Sequence, residues 1–396
     1  MVETLLRLYV NSFAQLSFFH NDYLPAWNTA SDLDDKIAAD SRAAAGDDYL
    51  VLTSLAVRQT FGATQLVGTK EKHYMFLKEI SSNGNTQTID VIFPATPIFY
   101  YLNPDLIKLL LDPHFENQES GHYPNKYAIH DLGTHYPNAT GHEDGGDEAM
   151  PLEECGNNLI MMFAYAQRSG DVDYLKDHYP LLKQWVEYLV LESVYPEEQL
   201  STDDFAGHLA NQTNLGLKGI IGIEAMAGIA KLIGNDADAA NFTAISHDYI
   251  KQWQVLAHQG NFDFPPHTIL TFNDPNTHGL LYNLYADRLL NTSLVPQEVY
   301  DQQSAFYPTI RRELGVPLDT RALWTKSDWE MFCAAIASTE TRDMFIKDLV
   351  NWVGTTTTGL PFTDLFETPT GKFPGGIQFK ARPVVGGMFS LLALPQ

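Results

Sequence analysis

Along the chain, stretches with helical spacing of apolar residues alternate with polar stretches rich in glycine and proline. Spacings of three and four over residues 3–19 and 48–66 predict two helices, with Asp47 and Asp48 suited to the start of the second. Between them HNDYLPAWNTA, with Trp27 and two turn signals, predicts a loop. Residues 71–93 depart from this pattern: an Asn83-Gly84 pair flanked by short runs predicts a small hairpin or an irregular excursion. Pro94 and Pro97 open an apolar segment ending at Tyr101, and Pro104 starts a helix over DLIKLLLDPHFENQ, as proline can in a first turn.

From residue 152 the rhythm becomes regular. Helices are predicted at 152–168, 173–191, 215–233, 237–257, 279–290, 297–314, 328–338, 340–353 and 383–394, with Pro180 and Pro308 as kinks or breaks. Short turns of roughly two to five residues alternate with polar loops of roughly fifteen to twenty-five. The long loops at 127–151, 200–214, 259–279 and 354–382 therefore belong on one rim. Helices that follow long loops (152–168, 215–233, 328–338, 383–394) are rich in small residues or apolar nearly all round, which places them inside; the returning helices are amphipathic and belong outside. Two concentric rings, an all-α (α/α)6 toroid of six helical hairpins in a single domain over residues 1–396, fit this best, with the site in the funnel at the long-loop end. An α-solenoid is the other candidate, but the chain shows no fixed repeat period.

The polar stretch 127–158, YAIHDLGTHYPNATGHEDGGDEAMPLEECGNN, holds His130, His135 and His142 and carboxylates including Asp131, Glu148, Glu153 and Glu154, and it runs straight into an apolar helix. Tyr127, His130, His135 and Tyr136 are more than a solvating loop needs, so this stretch is expected to line a site. At helical spacing Glu153 lies over Asn157, and Glu154 lies between Asn157 and Asn158. A second cluster is STDDFAGH, with Asp203, Asp204 and His208, followed by Asn211, Asn214 and Lys218. An ammonium on an inner helix needs a partner, and Asp203 and Asp204 are the obvious ones. Asp328 beside Trp329, and Asp364 in PFTDLFET, complete the set. Paired carboxylates in a funnel, one raised in pKa by burial, can carry acid/base hydrolysis. The expected arrangement sets Glu154 as the acid across from Asp204 as the base, with Lys218 holding Asp204 ionised and Tyr127 and Trp329 as aromatic walls. The plainer reading is that these carboxylates complement helix N-termini, in a chain with 49 acidic residues.

Composition narrows the classes. The chain has 396 residues, 44% of them hydrophobic, and a formal charge of -24, which leaves no basic face for nucleic acid. Neither a polybasic run nor an apolar run of spanning length points to a membrane. GxSxG, SxxK, HExxH, CxxC and GxGxxG are absent from the sequence, so no metal or cofactor is expected. Cys155 and Cys333 sit in apolar helical segments and are expected as buried free thiols. Sequons at Asn138, Asn211, Asn241 and Asn291 lend weak support to secretion, and Met1 is not followed by a signal peptide.

The segments KEISSNGNTQTIDVIFPATP, SGHYPNKYAIHDLGTHYPNATGH, MPLEECGNNLIMM, STDDFAGHLANQTNLGLKGIIGI and KFPGGIQFKARPVVGGMF resemble the fungal and bacterial glutaminase A family, and the resemblance covers most of the chain. It implies a six-helical-hairpin domain, an extracellular location and hydrolysis of L-glutamine to L-glutamate and ammonia. It also implies a β-rich N-terminal region ahead of this domain, which the chain lacks and which is the one expected macromolecular partner. The small-molecule partner is glutamine or, on the alternative that the funnel is that of a glycoside hydrolase, a carbohydrate; a non-catalytic binding module is the third possibility.

Overall fold

The helices that are apolar on every face form a closed inner ring. In the computed structural model, which describes residues 12–69, 71–258, 265–272, 274–357, 359–375 and 379–395, the first helix α1 (Ser12–Gly62) is followed by strands β1 (Thr64–Gly68) and β2 (His73–Leu77). Then come α2 (Ile89–Leu102), α3 (Asp105–Glu119), α4 (Pro151–Ser169), α5 (Val172–Glu192), α6 (Thr213–Leu232), α7 (Asp236–Ala257), α8 (Leu284–Leu290) and α9 (Gln297–Ile310). Strand β3 (Trp324–Lys326) leads into α10 (Ser327–Ile336) and α11 (Thr339–Thr355); β4 (Leu365–Glu367), a 3-10 segment (Pro383–Phe389) and α12 (Ser390–Ala393) end the chain.

Helices α2, α4, α6, α8 and α10, with the 3-10 segment and α12, pack on one another in sequence, and the last returns to α2. Around them stand α3, α5, α7, α9 and α11, and the C-terminal part of α1 fills the sixth outer place against the C-terminal segment. This is the all-α (α/α)6 toroid, closed by pairing the two ends of the chain. Burial follows the pattern: every residue of α4 from Leu152 to Ala166 is buried, whereas α7 buries only a stripe through Phe242, Ser246, Ile250, Trp253 and Ala257.

The long connections meet in a circle at one end. Thr86 donates to the Gly133 carbonyl (2.9 Å), Thr213 to Leu270 (2.9 Å), and Ser81 Oγ to the Lys380 carbonyl (2.8 Å). Phe205 packs edge-on against Trp324 (5.8 Å) and Phe379 (5.7 Å). The expected loops 127–151, 200–214, 259–279 and 354–382 share this rim, joined by two more, 63–88 and 311–326; residues 259–264, 273, 358 and 376–378 lie outside the described part.

Several elements differ from expectation. The loop expected at HNDYLPAWNTA is helical: α1 runs through Pro25 and bends at Ala45 and Gly46, where φ reaches +80°. Its N-terminal part exposes Phe13, Leu16, Tyr23, Leu24 and Trp27, so burial leaves no periodic signal, and Thr29 Oγ1 donates to the Pro25 carbonyl at 3.0 Å. Residues 3–11 of the first expected helix lie outside the described part. The hairpin pairs β1 with β2, Thr64 opposite Leu77 and Gly68 opposite His73; Asn83-Gly84 turns a smaller excursion closed by Glu79 N–H to Asn85 O at 2.9 Å. Pro94 and Pro97 lie inside α2, and Pro180 inside an uninterrupted α5.

Close approach of α4 and α6 depends on glycine. A Cβ on Gly156 would sit 2.7 Å from Lys218 Cγ, and one on Gly222 3.2 Å from Gly156 Cα. In an open helix Gly→Ala stabilises by roughly 1 kcal/mol; Gly156→Ala should instead cost about 1–3 kcal/mol in urea unfolding, because the packed side chains must give way. Both cysteines are buried and free. Asn138, Asn241 and Asn291 are exposed, while Asn211 is half-buried. Among the described residues no helix is long and apolar enough to cross a membrane.

Candidate active site

Inner helices begin at the rim, so their first turns deliver side chains to the funnel floor. Asp90 lies in the first turn of α2, Glu153 and Glu154 in that of α4, and Asp328 in that of α10. Proline at the first position and a hydrogen bond from the Leu152 backbone N–H to the Gln199 side-chain Oε1 (3.0 Å) fix the start of α4. The loop 120–150 lays His130 over these ends.

His130 is the hub. Its Nδ1 lies 2.7 Å from Asp131 Oδ2 and its Nε2 3.4 Å from Asp90 Oδ1, and its own N–H donates to Asp147 Oδ2 at 2.9 Å. Asp131 is also bonded to His142 Nε2 (2.9 Å), and with His130 beside it and the Gly133 N–H donating, it is held at about 2 despite burial. Ligand atoms of Asp90, His130 and Glu154 all lie within 4.8 Å of one another, and all three residues are buried. Asn157 Nδ2 donates to Glu154 Oε2 at 3.0 Å. Among the described residues Glu154 Oε1 has no hydrogen-bond partner, and Asp90 Oδ1 has only the long His130 contact.

Environment separates the two carboxyls. Burial pushes both up. At Asp90 the His130 imidazole and the charges of Arg382 and Lys326 outweigh it and hold the group below the usual carboxylate range. At Glu154 burial is reinforced by the Asp90 charge and only partly offset by His130, so the group stays well above that range. Burial opposes the charge on His130, but Asp131, Asp90 and Glu154 raise it well above an ordinary histidine. The cluster therefore favours the ionised form of Asp90, the protonated form of Glu154 and the imidazolium form of His130.

A second charged group adjoins it. Lys326 Nζ lies 3.4 Å from Asp328 and 3.8 Å from Asp364; Arg382 reaches Asp364 at 3.3 Å and Glu79 at 3.6 Å. Burial lifts Asp328 to about 7 and Asp203 to about 6, with Lys326 working against the rise in both. Asp203 accepts from the Tyr282 hydroxyl at 2.8 Å, and Tyr282 stacks on Trp329 at 4.2 Å.

The expected pairing of Lys218 with Asp203 or Asp204 is not found. Lys218 is fully buried, bonded to Glu153 and, at 2.7 Å, to Asn157 Oδ1. It points across the α4–α6 contact that the glycines allow, so the partner comes from the facing helix rather than from the loop before it. Asp204 is half-buried, caps its own Phe205 N–H at 2.8 Å, and is raised by burial and by Asp90 rather than held ionised. Tyr127 packs against Tyr123 (6.1 Å) and Tyr188 (5.7 Å), and Trp329 is wholly buried under the floor; neither forms an open wall. His208 is exposed, and Asn211 adopts a left-handed conformation and makes backbone bonds to Pro196 and Phe272.

Sequence reasoning missed Asp90, Lys326 and Arg382. Each carried a signal: a charge inside TIDVIFP or next to an apolar helix, where a buried charge needs a reason. Asp90, His130 and Glu154 are also the one set among the described residues that could hold a metal ion, with Asp131 orienting the imidazole as an outer partner. The positive charges of Arg382 and Lys326 acting on Asp90 weigh against a further cation there. Beside the cluster a cavity of about 780 Å³ is lined by Asn83, Asn85, Asp131, His135, His142 and Glu148 among others.

A six-hairpin toroid with a carboxylate floor places this chain among (α/α)6 proteins. Residues 46–392 match the glutaminase A six helical-hairpin domain, and the chain belongs to that family. It is 60% identical over 383 residues to glutaminase A of Aspergillus oryzae (strain ATCC 42149 / RIB 40), covering 96% of this chain and 55% of that protein. A probable glutaminase of Arthroderma benhamiae (strain ATCC MYA-4681 / CBS 112371) is 38% identical over 463 residues, covering 96% and 53%. The chain thus spans about half the length of these curated relatives. Among solved structures, a metal-independent α-mannosidase of Streptococcus pneumoniae in complex with α-1,6-mannobiose shares the fold, with a TM-score of 0.58 at 8% identity over 92% of this chain and 97% of that one.

Proposed function

We propose that the chain hydrolyses the side-chain amide of L-glutamine at the Asp90–His130–Glu154 cluster. The observation that carries the reading is this buried cluster, with ligand atoms within 4.8 Å of one another and two carboxyls shifted in opposite directions, in a member of the glutaminase A family. Asp90 takes a proton from water as the water oxygen bonds to the amide carbon. Imidazolium and guanidinium charges nearby stabilise the negative charge that develops on the amide oxygen. The C–N bond then breaks as Glu154 passes its proton to the departing nitrogen, which leaves as ammonia. The proton collected by Asp90 returns to Glu154, within 4.8 Å, and the product carboxylic acid ionises to glutamate.

One observation favours a second reading. The separation of the Asp90 and Glu154 oxygens, within 4.8 Å, is near the ~5–5.5 Å of retaining glycosidases. Ammonia release from L-glutamine, run beside a panel of 4-nitrophenyl glycosides, decides between them. Ammonia without nitrophenol is expected; nitrophenol without ammonia would transfer the cluster to glycoside chemistry. Activity should also survive dialysis against EDTA, and a loss restored by a divalent cation would show that the three ligands hold a metal instead.

A further inference from the structure

The buried Lys218–Asn157 contact is not used by the reaction as written, yet it ends on Glu154. Lys218 Nζ can only donate, and it donates to Asn157 Oδ1 at 2.7 Å and to Glu153. That contact settles which way the Asn157 amide faces: its Nδ2 is turned to Glu154 Oε2 at 3.0 Å, with a longer bond to Glu153 Oε1 at 3.3 Å. Oε2 is thereby engaged, and Oε1 is the Glu154 oxygen without a partner among the described residues. Asn157, Glu153, Glu154 and Lys218 are all within 1% of complete burial, so water does not substitute for any of these bonds.

We propose that Asn157, locked by Lys218, is a positioning residue that fixes the Glu154 carboxyl so that Oε1 carries the transferable proton. The plainer view is that Lys218 and Glu153 form a structural ion pair and Asn157 only fills space. Against it, an ion pair is complete without the amide, whereas the amide lies between the ammonium and the second glutamate. The proposal rests on the acid role given to Glu154 above.

The two views differ in a pH profile. Glu154 is faced by Asp90 from α2, His130 from the loop, and Glu153, Cys155 and Asn157 on its own helix, with Lys218 from α6 bonded to Glu153 and Asn157 and with Arg382 and Lys326 acting on Asp90 behind. Asn157 is the group whose hydrogen bond favours the ionised form of Glu154, so its removal leaves burial and Asp90 less opposed. Asn157→Leu, close to isosteric, should lower kcat for L-glutamine about 10- to 100-fold with KM within about twofold, and shift the alkaline limb of kcat to higher pH. Asn157→Ala, which leaves space rather than crowding, should do the same if the leucine variant fails to fold. In parallel, the protonated-carboxyl infrared band that disappears in Glu154→Gln should titrate at higher pH in the Asn157 variants. That band is read without turnover. A shifted band in a protein inactive on glutamine would keep the positioning role and end the glutaminase reading. An unshifted band in a folded variant overturns the proposal, whatever the activity.

Discussion

Glu154→Gln should cut turnover of L-glutamine by about 10²- to 10⁴-fold, the range expected when a general acid is lost. The fold should survive, because the native residue is itself held neutral: burial and Asp90 keep its pKa well above 4.5. The stability sign follows from that direction. A carboxyl whose folded pKa is raised binds more protons folded than unfolded, so its contribution falls as pH rises from its unfolded value through its folded value. His130, also raised, adds a loss in the same direction above about 6.5, its unfolded pKa. Glutamine at position 154 removes the first of these. The variant should therefore match wild type in urea unfolding near pH 5 and exceed it increasingly towards pH 8. A variant that stays active would end the acid assignment, and one that unfolds at pH 5 would mean Glu154 serves structure first.

How far the chain could be read in advance depended on which physical signal each part carries. The inner helices announce themselves because a helix buried on all sides must be apolar on all sides, and the short turns at Gly170-Asp171 and Gly234-Asn235 sit where a left-handed glycine ends a helix. The exposed N-terminal part of α1 carries no such constraint, so Pro25 and its polar neighbours pointed to a loop that the backbone does not form. In the candidate site, Glu154 and His130, which the structure brings together, were legible because polar density before an apolar helix is locally visible. Their partner Asp90 was not, because it comes from a different hairpin and is masked by the apolar run around it. Lys218 was correctly placed inside, but its partner depended on the α4–α6 crossing that Gly156 and Gly222 permit, a tertiary fact with no local trace. The same holds for Arg382, brought to Asp90 only when the C-terminal segment closes the ring.

The reassignment of the base from Asp204 to Asp90 is the other large test. Asp90→Asn should lower turnover by about 10²-fold or more, with the acid limb of the rate profile lost, since the other depressed carboxylate of the cluster, Asp131, is already engaged by His130, His142 and the Gly133 N–H. Stability should fall as well, by about 1–3 kcal/mol, because His130 loses one of its two closest carboxylates while it stays buried. Asp90 contributes stability above its unfolded pKa and loses it as pH falls through its lowered folded value. The difference between variant and wild type should therefore be present at neutral pH and close in acid. Asp204→Asn is the control: half-buried, raised in pKa and bonded only to its own turn, it should change turnover by less than about tenfold. Steady-state rates from pH 4 to 9 for both variants decide the matter. If Asp204→Asn abolishes turnover while Asp90→Asn keeps it, the base is the loop carboxylate after all, and the His130–Asp90 contact serves only to hold the loop 120–150 against α2.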